Sequence, residues 1–310
     1  MTGSLEGMSE ITITALREQL GSVGVWSSKI GGASATAERA AAAEIESLGF
    51  RTLWFGEAAD NKEAFVNASI LLQATSSLTV ATGIANIYAR DPLAAELGAN
   101  ALGEAYGGRF VLGLGVSHAP MVASRGHDYA APVRTMREYL DAMDSVSYTP
   151  PAPGFAVPRV LAALRPRMLE LARDRTAGAH PYFVPVEHTE RARAILGPDR
   201  LLAPELMVVL ETDAARARAV ARETTTRYLA MPNYANNLRE LGYTEEDLAG
   251  GGSDRLVDDI VVWGDAAAIR ERVDAHLRAG ADHVAVQPLA ADLESQLGQL
   301  RALAPVLLAR

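Results

Sequence analysis

Short apolar runs alternate with helix-patterned stretches along the whole chain, and nothing else in the sequence narrows the fold as much. The runs lie near positions 24, 52, 79, 110, 160, 177, 206 and 284, with helical spacing after each. Eight strand–helix units in 310 residues predict an α/β fold, a TIM (β/α)8 barrel. An open doubly wound sheet fits less well, because no composition break separates two halves. The expectation is a single domain over 1–310, with 1–12 as a flexible lead-in. Local punctuation agrees with the alternation. Gly49 stops a helix over Ser34–Leu48, and Asp91-Pro92 supplies an N-cap and an N1 proline for the next one. Two stretches break the rhythm. Tyr148–Pro158 carries four prolines and reads as a loop. A short insertion near 231–257 holds a small helix and the run Gly250-Gly251-Gly252.

The strand near 110 is the one that most suggests a site. Arg109–Leu112 is apolar after its first residue, thins at Gly113 and Gly115, and ends on Ser117 and His118. Glycine weakens a strand and marks close approach by a ligand or another backbone. Tight packing against a helix, with Ser117 and His118 in a solvated loop, explains the same pattern. A dinucleotide fingerprint fits poorly, since the third glycine is missing and the nearest acidic residue, Glu138, falls inside a helix. Gly115-Val116-Ser117-His118-Ala119 is close to a nucleophile elbow, which makes a serine hydrolase using Ser117 an alternative. That motif needs a following helix, and the next residues are short and broken at Gly126.

Composition removes other classes. The net charge of −9, without a basic run, argues against a nucleic-acid surface. The absence of cysteine excludes disulfides, thiol catalysis and thiolate metal sites. No signal peptide or membrane-spanning run is evident, so a cytoplasmic location is the expectation. The six histidines show no metal-ligand spacing, so no metal is expected.

In a barrel the active site lies at the C-terminal ends of the strands. The polar residues collected there are Ser27 and Ser28, Glu57, Asn86 and Arg90, Ser117 and His118, His180 and Tyr182, and Gln287. Trp26 is a candidate for the pocket wall, and Trp54 reads as core.

Thr82-Gly83-Ile84, the exit Asn86 to Arg90-Asp91-Pro92, Arg109 to Gly115, and Ala177 to Tyr182 resemble the luciferase-like flavin and deazaflavin oxidoreductases. The resemblance runs from about Gly24 to Gln287 and is nearest to members assigned to coenzyme F420. It implies a TIM barrel, commonly a homodimer, that moves a hydride between the deazaflavin ring and a small-molecule substrate. An FMN-dependent monooxygenase is the alternative within the class, and a non-catalytic cofactor-binding homologue is another. The resemblance implies a cis peptide at Gly83-Ile84 beneath the ring, with Asn86, Gly115, Ser117 and Tyr182 also toward the cofactor. It places Gly178, Ala179 and His180 against the cofactor's tail phosphate. His118 stands where deazaflavin members carry an acidic proton donor, and imidazole can do that work. Glu57 is the second catalytic candidate, and Trp26 and Ser27 are assigned to the substrate pocket. The segment between 146 and 159 is short for the family, which implies a reduced substrate wall.

Overall fold

The computed structural model describes residues 11–309. In chain order the first elements are α1 (Ile13–Leu20), β1 (Val23–Ser27), α2 (Ala35–Ser47), β2 (Thr52–Phe55), α3 (Ala64–Gln73), β3 (Thr79–Thr82), β4 (Ala85–Asn86), α4 (Pro92–Ala105), β5 (Phe110–Gly115) and α5 (Ala119–Ala123). There follow α6 (Pro132–Asp144), β6 (Arg159–Leu161), α7 (Pro166–Arg175), β7 (Gly178–Ala179), α8 (Val186–Leu196), β8 (Leu201–Leu202), β9 (Glu205–Val209) and α9 (Ala214–Leu229). The chain closes with α10 (Pro232–Glu240), α11 (Glu245–Leu248), α12 (Asp254–Ile260), β10 (Val261–Trp263), α13 (Ala266–Arg278), β11 (Val284–Pro288) and α14 (Leu293–Leu307).

Every strand pairing is parallel, in the order β10-β9-β11-β1-β2-β3-β5-β6-β7-β8, with β4 beside β5. Parallel neighbours need helical crossovers, and the helices supply them. The sheet curls. Register places Trp26, Trp54, Ala81 and Val111 side by side on one face, where they form one buried cluster with Leu16 and Leu20 of α1. The opposite face packs on the helices through the largest cluster, which includes Leu53, Val80, Leu112, Leu161 and Val286. A parallel sheet buried on both faces explains why the strands read as continuous apolar runs. Between β8 and β9 the chain bends at Ala203-Pro204. There the Ala203 N–H donates to Ala179 at 3.0 Å, and the Ala285 N–H donates to Pro204 at 2.9 Å. The architecture is a curled parallel sheet with alternating helices.

Helix starts follow local chemistry. Ser34, Asp91 and Asp213 each accept from a backbone N–H in the first turn of α2, α4 and α9. Several expectations need correction. The strand expected over Ala177–His180 is only Gly178–Ala179, because His180 turns away after one ladder bond. The insertion near 231–257 is three short helices that lead into β10, and β10 pairs with β9. A five-residue helix, α5, does follow Ser117. Tyr148–Pro158 packs near the N-terminal end of β5, away from the C-terminal strand ends. Phe155 lies against Gly108, and Pro153 and Val157 lie against Gly103, so this loop is no part of a pocket wall. Residues 1–10 of the expected lead-in lie outside the described residues, while Thr12 caps α1. Among the described residues no helix is long and apolar enough to cross a membrane.

Candidate active site

One cavity of about 1100 Å³ opens at the C-terminal ends of the strands. Its floor is built by β1, the link between β3 and β4, the end of β5 and the residue after β7: Trp26, Gly83, Ile84, Gly115 and His180. The Gly83–Ile84 peptide is cis, as the resemblance implies. Glycine is required at 83 by space. A Cβ there would stand 2.7 Å from Trp26 Nε1 and 2.8 Å from His180 Nε2. Gly115 is filled by Ile84, whose Cδ1 would lie 2.6 Å from an added Cβ.

His180 is fixed from behind. Its Nδ1 is 2.6 Å from the Ala203 carbonyl, and its ring stacks on Trp54 at 4.2 Å. A carbonyl accepts, so Nδ1 carries the proton and Nε2 is a bare acceptor. Burial drives the imidazole pKa down to about 3, so the ring is neutral. Trp26 Nε1 and His180 Nε2 are buried without a partner among the described residues. Both atoms point at Gly83, so they close the floor beneath the cis peptide rather than open into the cavity.

His118 caps α5 and stands on the wall, its ring 5.2 Å from Tyr234. Burial lowers its pKa, and no carboxylate opposes the shift. At neutral pH it is a neutral imidazole that can accept a proton. Glu57 also lines the cavity but is already occupied. It pairs with Arg90 and accepts from the N–H groups of Asn86 at 2.8 Å and Ala64 at 3.3 Å. A carboxylate held by a guanidinium and two amides has its oxygens engaged and serves to order its loop. Asn86 is buried beneath it and caps its own turn by accepting from the Tyr88 N–H.

Ser117 lies on the wall with φ 57°, the left-handed geometry of a nucleophile elbow. Its hydroxyl, however, contacts Met121 Sδ at 3.7 Å, and among the described residues no imidazole is in hydrogen-bond reach. The triad logic therefore lacks its base. Gly178 and Ala179 do not line the cavity. Gly178 is needed because a Cβ would sit 1.9 Å from the Leu201 carbonyl, so the close approach it allows is between strands. Ser27 is also buried away from the cavity. It donates to Gln296 at 2.5 Å and accepts from the Ile30 N–H. Gln287 is buried and accepts from Tyr182 at 3.0 Å.

Other wall residues escape a strand-end reading because they come from helices. Tyr228 and Tyr234 belong to α9 and α10, and Arg134, Arg167 and Arg227 to α6, α7 and α9. Arg165 and Arg167, flanking the proline that opens α7 directly after β6, were the one sequence signal for this wall. Arg167 and Arg227 form no ion pair among the described residues, and Arg134 has only a 3.7 Å contact with Glu138. Of the three cavity carboxylates, Glu57 is neutralised by Arg90 and Glu240 by Arg165 and Arg191, while Asp60 has no ion-pair partner among the described residues, one free carboxylate against the free guanidiniums of Arg134, Arg167 and Arg227. A chain of net charge −9 thus gathers uncompensated guanidiniums around one cavity. Aromatic and glycine surfaces below and free cations above fit a planar ring with an anionic tail. Among the described residues no three potential metal ligands come together.

The profile described as luciferase-like monooxygenase matches residues 20–283. A 5,10-methylenetetrahydromethanopterin reductase of Methanolobus tindarius is 25% identical over 203 residues, which is 57% of this chain and 62% of that protein. The chain thus spans about three fifths of that relative's length. An F420-dependent secondary alcohol dehydrogenase, solved with an F420-acetone adduct, superposes with TM-score 0.73 at 15% identity, over 92% of this chain and 98% of the other. The oxygenating constituent of 3,6-diketocamphane monooxygenase of Pseudomonas putida, solved with FMN, gives 0.68 at 15%, over 91% and 95%. At those identities the superpositions speak for the fold alone. The profile match, covering most of the chain, settles the family: this protein is a member of the luciferase-like monooxygenase family.

Proposed function

We propose that the protein is a coenzyme F420-dependent oxidoreductase, which moves a hydride between the deazaflavin ring and a small organic substrate. The barrel is read as a closed (β/α)8, with β8 and β9 counted as one strand bent at Pro204. The observation that carries the reading is the pairing of a neutral aromatic floor with free arginines on one cavity at the strand ends. Trp26, Gly83, Ile84, Gly115 and His180 would support the ring, and Arg134 and Arg167, which are not committed to a close carboxylate, would hold the anionic tail. When bound, the cofactor supplies the redox chemistry. The chain supplies position, exclusion of water and a proton carrier. His118 takes that last role: its neutral ring accepts a proton as a substrate hydroxyl is oxidised, and returns it in the reverse direction. Tyr182 and Tyr228 close the pocket above Trp26. The same reading makes the protein a homodimer, and the exposed Val66 and Leu93 on α3 and α4 offer an apolar contact surface.

Titration of the purified protein with F420 and with FMN, followed by fluorescence, tests the reading. F420 is expected to bind at micromolar concentration or better, and FMN more weakly. FMN retained stoichiometrically through purification would turn the assignment to a flavin monooxygenase.

A further inference from the structure

The cavity's arginines stand on different walls. Arg134, Arg165 and Arg167 come from the starts of α6 and α7, whereas Arg227 comes from the last turn of α9. The other arginines of α9 are neutralised: Arg216 by Glu211, Arg218 by Asp258 and Arg222 by Asp254. Arg227 binds no carboxylate among the described residues, and its guanidinium carbon lies 5.1 Å over the Tyr228 ring. That ring is a fixed platform. The Tyr228 and Tyr182 hydroxyls are 2.9 Å apart, and Tyr182 donates to Gln287 at 3.0 Å. Tyr234 packs edge-on against Tyr228 at 5.2 Å. It is more than nine-tenths buried and lines the cavity, yet its hydroxyl has no protein partner among the described residues. The hydroxyl itself is accessible from the cavity and is free to donate to a ligand oxygen. Asn233, in the first turn of α10, lines the same wall, and no side chain caps that helix.

We propose that Arg227, Tyr228 and Tyr234 form a carboxylate-binding wall, and that the substrate is a small organic acid with a flat, unsaturated body. The proposal rests on the oxidoreductase reading above and names its substrate class. One planar guanidinium matches one carboxylate, and this wall carries no second free cation that a phosphate dianion would call for. The body of the acid would lie among the Trp26, Tyr182 and Tyr228 rings; Trp26 and Tyr182 meet at 5.2 Å with their planes inclined at 50°. Aromatic walls of this kind favour flat ligands.

The test is calorimetric titration of the F420-loaded protein with benzoate and with its neutral isostere benzamide. Benzoate is expected to bind about tenfold tighter or more. Arg227→Gln should abolish that preference while F420 affinity stays within about twofold, and Tyr234→Phe should weaken benzoate by about threefold to tenfold. Equal affinities in the wild type, no benzoate binding at about 10 mM, or an unchanged preference in Arg227→Gln overturns the proposal. A large loss of F420 affinity in Arg227→Gln also overturns it, by giving the residue to the cofactor tail. Repeating the benzoate titration without cofactor separates the two readings. Arg227-dependent benzoate binding in a protein that binds no F420 keeps the carboxylate wall and removes the cofactor assignment.

Discussion

At the scale of residues, the site depends on which polar atoms are already engaged. Glu57 and His118 both touch the cavity, but Glu57 is saturated by Arg90 and two backbone amides, whereas His118 faces only Tyr234 and open space. His118→Ala should therefore slow single-turnover hydride transfer by about 10²–10⁴-fold and leave F420 affinity nearly unchanged. Stopped-flow measurement on F420-loaded protein checks this, and a change within about twofold removes His118 from the role. Because burial depresses the His118 pKa, oxidation of substrate should hold its rate as pH falls through the ordinary imidazole range and decline only below it. The sequence exposed His118 because it ends a strand that thins to glycine. It could not show that Glu57 is consumed, because Arg90, Asn86 and Ala64 reach it only through tertiary contacts. Nor could it show that Gly178 serves strand packing, since a small residue near a ligand and one near a backbone look alike in a sequence.

At the scale of elements, what was legible is what local chemistry determines. The strands β1, β2, β3, β5, β6 and β11 are apolar runs, and the caps at Ser34, Asp91 and Asp213 stand where their side chains bond the first turn. Asp91 shows how much rides on one cap, as its carboxylate accepts from the Ala94 N–H at 2.9 Å beside the N1 proline. Asp91→Ala should cost about 0.5–2 kcal/mol in urea unfolding, with F420 affinity little changed. The rest was hidden for physical reasons. The run near 206 is legible as β9, but the bend at Pro204 sets β8 apart as only two residues, and β10 is too short to show a period. The tyrosine wall comes from α9 and α10, whose inward faces read in isolation as ordinary amphipathic helix.

At the scale of the molecule, buried titratable groups set a pH window for stability. His180, His188, His276 and His283 are held neutral by burial, with pKa values of about 3 to 4 against 6.5 when exposed. The unfolded chain binds more protons than the folded one below 6.5, so stability falls as pH drops from there toward 4. Glu205, buried with no cation beside it, is pushed up to about 8. Here the folded state keeps the proton that the unfolded chain loses above 4.5, so stability falls as pH rises toward 8. The four histidines outweigh the single acid until the unfolded imidazoles have lost about three quarters of their protons, so the thermal midpoint should peak at about pH 7. Glu205→Gln should flatten the alkaline side alone, and scanning calorimetry from pH 5 to about 8.5 would show it; an unchanged alkaline slope would assign the decline to other groups. The neutral floor beneath Gly83 has a consequence for arrival as well as for binding. His180 carries no charge, and the arginines of α6, α7 and α9 stand above it, so the cavity is polarised along its own depth. A ligand with one charged end and one uncharged end is turned by that field before it touches the protein, ring inward and anion outward. Salt should then slow its capture while leaving its escape almost untouched.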